Sequence, residues 1–264
     1  MKKVIIQFIS FLLLFFGMWW GLSFIDWRGV LKVEETSQNI EKELGNFVWE
    51  SIEQSTTIVD KDEIKLPIDS ILQTLCNRNE IDTTTIKLYI IKEKEVNAFA
   101  LPDGYLILHT GLIEAVDSPE ELCGVMAHEL AHIKLGHCMD KLIKEVGMAT
   151  LAGIISGNGN LSQIVHLLSS TAFSRKAEKE ADIQAIRYLL KAGVEAEALA
   201  SFMRKISTEN TKEDAEYWEW FSTHPNAASR ATYIIEEAKK LKSAVFKQTP
   251  LLHPATWEKM KAVL

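Results

Sequence analysis

His128 and His132 stand four positions apart in a stretch otherwise filled by Leu122, Val125, Met126, Leu130, Ile133 and Leu135. No other feature constrains the fold of this chain as much. Residues four apart share one face of a helix, so both imidazoles can point at a common centre. Buried neutral imidazoles need partners, which the apolar neighbours do not provide. Upstream, Asp117, Ser118, Pro119, Glu120 and Glu121 offer the cap, first-turn proline and early acids of a helix start. One helix is therefore predicted over about residues 117–140, with both histidines in its interior.

Glu129 follows His128 directly. On a helix it is offset enough to miss an ion held by the two rings, yet near enough to hold a water beside it. This is the H-E-x-x-H arrangement of zinc hydrolases. A catalytic zinc keeps three protein ligands and one open position, so a third ligand is expected downstream on a crossing helix. Glu178 and Asp182 are one helical turn apart and face the same way. Glu178 can reach the ion, while Asp182 can hydrogen-bond a ligand histidine and set its tautomer. Glu180 points elsewhere, to solvent. The reading is one Zn2+ per chain on His128, His132 and Glu178, with Glu129 as the base. The rival is a metal-stabilised binding or chaperone module with little hydrolysis. Glu129 argues against that rival, because a purely structural site has no use for a base beside its ligand. Structural sites also close zinc with four ligands, commonly cysteines.

Cys76, Cys123 and Cys138 form no C-x-x-C pair. On one continuous helix Cys123 and Cys138 would be roughly 22 Å apart, beyond the about 7 Å a disulfide spans. They are read as small buried hydrophobes. The net charge of −7, with no long basic run, excludes nucleic acid as a partner.

Lys2 and Lys3 precede an uncharged run over residues 4–25, closed by Asp26 and Arg28. As a helix this run reaches about 33 Å, enough to cross a bilayer. Trp19, Trp20 and Trp27 gather at its far end, where amphipathic rings favour the headgroup region. The run is predicted to be an uncleaved single-pass anchor. The lysines place the N-terminus in the cytoplasm and the rest of the chain outside it. Signal cleavage, giving a secreted or periplasmic protein, is the alternative. The bulky Trp19, Trp20, Leu22, Phe24 and Ile25 at the end of the run disfavour it.

Elsewhere the periodicity predicts a helix over 37–54, another following Pro67, a strand over 86–91, and two short strands over 98–101 and 105–108. The strands at 98–101 and 105–108 are joined by Pro102, Asp103 and Gly104, a turn signal. Residues 146–157 are apolar but too short to span a membrane; they are core or touch the bilayer. Helices are expected over 177–192, 195–206, 212–221 and 227–241, and from Pro254 onward. The fold class is α+β: a mainly helical domain with a small sheet, after one transmembrane helix. The division is 1–28 anchor, 29–85 helical segment, 86–245 metal-bearing domain, and 246–264 helical tail. Proline is tolerated mainly at strand ends and sheet edges, so the strand ending at Pro102 is expected at an edge. There Asn97, Ala98, Phe99 and Ala100 could pair with an extended or unfolded polypeptide.

The order of these pieces resembles a known family. His128 to His132, then Ser174-Arg175-x-x-Glu178-x-x-Ala181-Asp182, with Asn97-Ala98-Phe99-Ala100-Leu101-Pro102 before and Thr223-His224-Pro225 and Arg230 after, looks like the gluzincin zinc peptidases typified by HtpX and the CAAX prenyl proteases. The resemblance implies a zincin-like domain hydrolysing peptide bonds, with His128, His132 and Glu178 as ligands and Glu129 as general base. It also implies that the strand at 97–101 aligns substrate beside the metal, and that His224 and Arg230 stabilise the oxyanion. Read alone, His224 and Arg230 are surface or capping residues, and His137 a structural or outer-sphere one. His253-Pro254 repeats the His-Pro dipeptide but lies near the C-terminus. Asp103 stands where the family more often has glycine. A single anchor sets the chain apart from the multi-span HtpX and prenyl proteases and draws it toward periplasmic quality-control members.

Overall fold

Residues 121–132 are buried on every face of their helix, Pro119–Lys134, and the rest of the chain is built around it. The computed structural model describes residues 33–157, 161–209, 218–242, 247–248 and 250–264. Helices α1 (Val33–Ser55) and α2 (Asp62–Arg78) lead to β1 (Lys87–Ile91), β2 (Ala98–Leu101) and β3 (Tyr105–His109). Then come α3 (Thr110–Ala115), α4 (Pro119–Lys134), α5 (His137–Val146), α6 (Met148–Ile155), α7 (Leu161–Ser170) and α8 (Arg175–Ala192). Helices α9 (Glu197–Glu209), α10 (Trp218–Thr223), α11 (Ala227–Leu241) and α12 (Pro254–Lys261) complete the order. Residues 41–264 make one unit; of residues 1–40 the described part is the start of α1. The α+β reading holds, while the anchor predicted at 4–25 lies outside the described residues. Among the described residues no helix is long and apolar enough to cross a membrane.

The sheet runs β1-β3-β2, with β1 parallel and β2 antiparallel to β3. Strand β2 thus lies at an edge, as Pro102 leads one to expect. Asp103 and Gly104 both adopt left-handed backbone, φ 62° and 77°. Aspartate tolerates that region better than most side chains, and Lys87 Nζ fastens it at 2.5 Å from Oδ2.

Helix α4 packs against α8, α9, β2, β3 and α2. Its close approach to α9 depends on Gly124, where a Cβ would come within 3.0 Å of Leu199 backbone atoms.

The structure departs from the sequence reading most clearly at two boundaries and one added helix. The expected helix over 117–140 is two helices, because Gly136 takes φ 70° and ends α4. Helix α2 begins at Asp62 rather than after Pro67, which sits inside it. Burial of Ile64, Ile68, Ile71, Leu72 and Leu75 along one face outweighs the hydrogen bond the proline forfeits. Helix α7 was not anticipated; its Ile164 and Leu168 are buried, but serines and a glutamine around them mask the helical period. The helix expected over 212–221 falls largely outside the described residues, and its described end is α10. All three cysteines are free and buried.

Candidate metal centre

Three helices and the residue after a fourth bring the side chains of the centre together. Ser118 Oγ accepts the Glu121 N–H at 3.2 Å, and Glu121 Oε2 accepts the Asp117 N–H at 2.9 Å, which sets the entry to α4. From α4 come His128, Glu129 and His132, all 0% exposed. Ser174 caps α8 by accepting the Ala177 N–H at 3.2 Å, and α8 brings in Glu178 and Asp182 on one face. His224 enters directly after α10, its N–H bonded to the Trp220 carbonyl at 2.8 Å. Arg230 comes from α11.

His132 Nε2 and His128 Nε2 are 3.1 Å apart. Glu178 places Oε2 3.7 Å from His128 Nε2 and Oε1 3.6 Å from His132 Nε2. His224 Nδ1 is 3.0 Å from Glu178 Oε1 and 3.4 Å from His128 Nε2. One donor atom from each of His128, His132, Glu178 and His224 lies within 4.8 Å of the others, and all four residues are buried. Nitrogen and oxygen ligands about 2.0–2.1 Å from a tetrahedral zinc would be about 3.3 Å from one another. The observed separations bracket that value, so the residues fit the ion.

Electrostatics agree with the fit. Burial would raise the Glu178 carboxyl, but His224 and Arg230 beside it hold it well below the usual carboxylate range. Burial, with His128 adding to it, drives the His132 ring toward its neutral form. An ionised carboxylate and a neutral imidazole are the states a metal ligand needs. Glu129 is raised, chiefly by burial; neither of its oxygens has a hydrogen-bond partner, and Oε1 lies 3.3 Å from His224 Nε2. Burial lowers His224, but Glu178 and Glu129 outweigh it and the net shift is upward.

Asp182 Oδ1 lies 3.1 Å from His128 Nδ1. Arg230 is turned to carboxylates, donating to both Asp182 oxygens and meeting Glu178 Oε2 with Nη1. Phe173 stacks on the His132 ring at 4.0 Å between centroids. Asn97, Ala98, Phe99 and Ala100 are all buried, on or next to the strand that packs on α4. His109 N–H donates to the Asn97 carbonyl, so in this antiparallel pair Ala98 and Ala100 turn their backbone groups away from β3. The Ala100 carbonyl accepts from Cys138 Sγ at 3.3 Å.

The structure therefore brings together His128, Glu129, His132, Glu178, Asp182, His224 and Arg230. Sequence reasoning had not placed His224 among the donors. A lone Thr-His-Pro carries no local sign that its ring will reach residues so far away in the chain.

The profile of peptidase family M48 matches residues 65–238. The chain is 26% identical over 223 residues to metalloendopeptidase OMA1, mitochondrial, of Bos taurus, covering 76% of this chain and 43% of the relative. It is 23% identical over 220 residues to the beta-barrel assembly-enhancing protease of Escherichia coli K12, covering 78% and 45%. With metalloprotease LoiP of the same organism it shares 29% over 174 residues, covering 62% and 68%. The chain thus spans less than half the length of the first two relatives.

Proposed function

This chain belongs to peptidase family M48, and on that premise we propose that it is a zinc metalloendopeptidase tethered to a membrane. The observation that carries the reading is the convergence of His128, His132 and Glu178 beside the buried carboxylate of Glu129, which makes no hydrogen bond.

Zinc held by His128, His132 and Glu178 would supply a Lewis acid for the scissile carbonyl and acidity for the attacking water. Glu129 takes the water's proton and returns it to the leaving amine. His224 is held through Nδ1 by Glu178, which leaves its Nε2, near Glu129, to steady negative charge as it develops on the carbonyl oxygen. Arg230 acts from behind, holding Glu178 and Asp182 in place, and Asp182 in turn orients His128. Substrate is an extended or unfolded polypeptide lying along the outer edge of β2, beside Asn97, Ala98, Phe99 and Ala100.

Residues 4–25 tether this unit, with the N-terminus in the cytoplasm and the catalytic part outside it. Misfolded envelope or membrane proteins are the substrates we infer, which fits relatives named for beta-barrel assembly and for mitochondria. Within the family we place the chain nearer the single-anchor or periplasmic quality-control members than HtpX and the prenyl proteases. Protease added to spheroplasts should digest the catalytic part; protection until lysis would reverse the topology.

The deciding experiment measures zinc content and casein hydrolysis in the wild type and Glu129→Gln. About one zinc per chain is expected in both, with hydrolysis in the wild type alone. Comparable turnover in the variant would end the mechanism. Zinc binding without hydrolysis in the wild type would favour a chaperone or binding module.

A further inference from the structure

His137 lies outside the donor cluster, yet it is buried, and its Nδ1 is 3.1 Å from Nδ1 of His132. On the far side of its ring, Nε2 is 3.5 Å from Glu180 Oε2. Along an unbroken helix a residue five positions on lies about 140° around the axis, turned away from His132. The two rings meet because α4 stops and Gly136 turns the chain with φ 70°. A Cβ at Gly136 would find nothing within 4 Å, so the left-handed backbone, not crowding, calls for glycine there. Helix α5 is itself pinned near the centre. Lys141 Nζ donates to the Thr171 carbonyl at 2.5 Å and lies 4.5 Å from the Phe173 ring, the same ring that stacks on His132.

Proton accounting gives this contact a direction. His132 faces the donor cluster with Nε2, 3.1 Å from His128 Nε2. A neutral imidazole that ligates through Nε2 carries its hydrogen on Nδ1. That N–H donates to His137 Nδ1, so His137 carries its own hydrogen on Nε2, the atom facing Glu180. Glu180 is half exposed, and its other oxygen lies 3.8 Å from Lys176 Nζ. The sequence reading turns Glu180 to solvent, and it is half exposed, with one oxygen facing His137.

We propose that His137 is a positioning residue which, backed by Glu180, holds His132 in its Nδ1–H tautomer and strengthens it as a metal donor. Asp182 serves His128 in the same way, so each ligand histidine has its own outer partner on a different element. This assignment rests on the zinc reading of the site.

The test uses the full chain in detergent, with Zn2+ as the probe and a competing chelator to measure affinity. His137→Phe should weaken zinc binding by about 10- to 100-fold, the usual effect of removing an outer-sphere partner. His137→Gln, whose amide can both accept and donate, should lose less. Glu180→Gln should lose a few-fold, and its exposed position keeps the test open if His137→Phe misfolds. In 15N-histidine-labelled, zinc-loaded protein, the slowly exchanging His132 Nδ1–H should be seen downfield in the wild type and His137→Gln and vanish in His137→Phe. Wild-type affinity together with a retained Nδ1–H signal in His137→Phe overturns the assignment, as does unchanged affinity in Glu180→Gln if His137→Phe cannot be made. A wild type that takes up no zinc would instead overturn the metal reading itself.

Discussion

Arg230 and Asp182 meet fork to fork: Nε donates to Oδ2 at 2.8 Å and Nη2 to Oδ1 at 2.7 Å, with both side chains buried. This pair fastens α11 onto α8 directly behind His128. Because Arg230 also meets Glu178, one guanidinium faces two carboxylates, and the surplus negative charge suits a bound cation.

Removing that guanidinium should therefore be costly. Arg230→Met leaves Asp182 buried without its guanidinium partner, and the expected loss of stability is about 3–5 kcal/mol. Arg230→Lys should recover only part of it, since one ammonium cannot reproduce the bidentate contact. Urea unfolding of the three proteins checks this; an Arg230→Met variant that unfolds like the wild type would contradict it.

Glu178→Ala should lose the metal or bind it far more weakly, because the two imidazoles of α4 seldom retain zinc by themselves. Metal analysis after gel filtration is the measurement. Unchanged zinc content would mean that Glu178 is not a ligand and that His224 is the third.

Ala98→Pro removes an N–H that the β2–β3 register leaves pointing away from β3. The sheet should keep its pairing, the protein its melting temperature and its zinc. Peptide hydrolysis should fall at least about tenfold in kcat/KM, about 1.4 kcal/mol. Full activity in a folded variant would remove β2 from the substrate site.

His109 gives a pH dependence that does not involve the metal. It is buried, with Nδ1 3.3 Å from the Glu95 carbonyl. Burial drops it from 6.5 to about 4, against the pull of that hydrogen bond. Between these values the unfolded chain binds a proton that the folded one does not, so stability rises with pH across this window and is lost as pH falls from 6.5 to 4. The shift corresponds to at most about 3 kcal/mol. Unfolding free energies of His109→Phe should change less over the same window; an equally steep profile would assign the effect elsewhere.

What the sequence determined by itself was local. The spacing of His128 and His132, the adjacency of Glu129, and the shared face of Glu178 and Asp182 all follow from the helical repeat, which needs no partner to be read. Clustered β-formers and the Pro102-Asp103-Gly104 turn likewise placed the strands, and Pro102 placed β2 at an edge. The tertiary structure decided the rest. His224 reaches His128 across 96 positions and Arg230 reaches Asp182 across 48, and no local pattern encodes where either will arrive. Pro67 stays inside α2 because the face around it is buried, whereas Gly136 ends α4 and so swings His137 onto His132. A proline or glycine states only what the backbone can do. Which option is taken depends on how much apolar surface the neighbouring elements bury, and that sum is made only once they have packed.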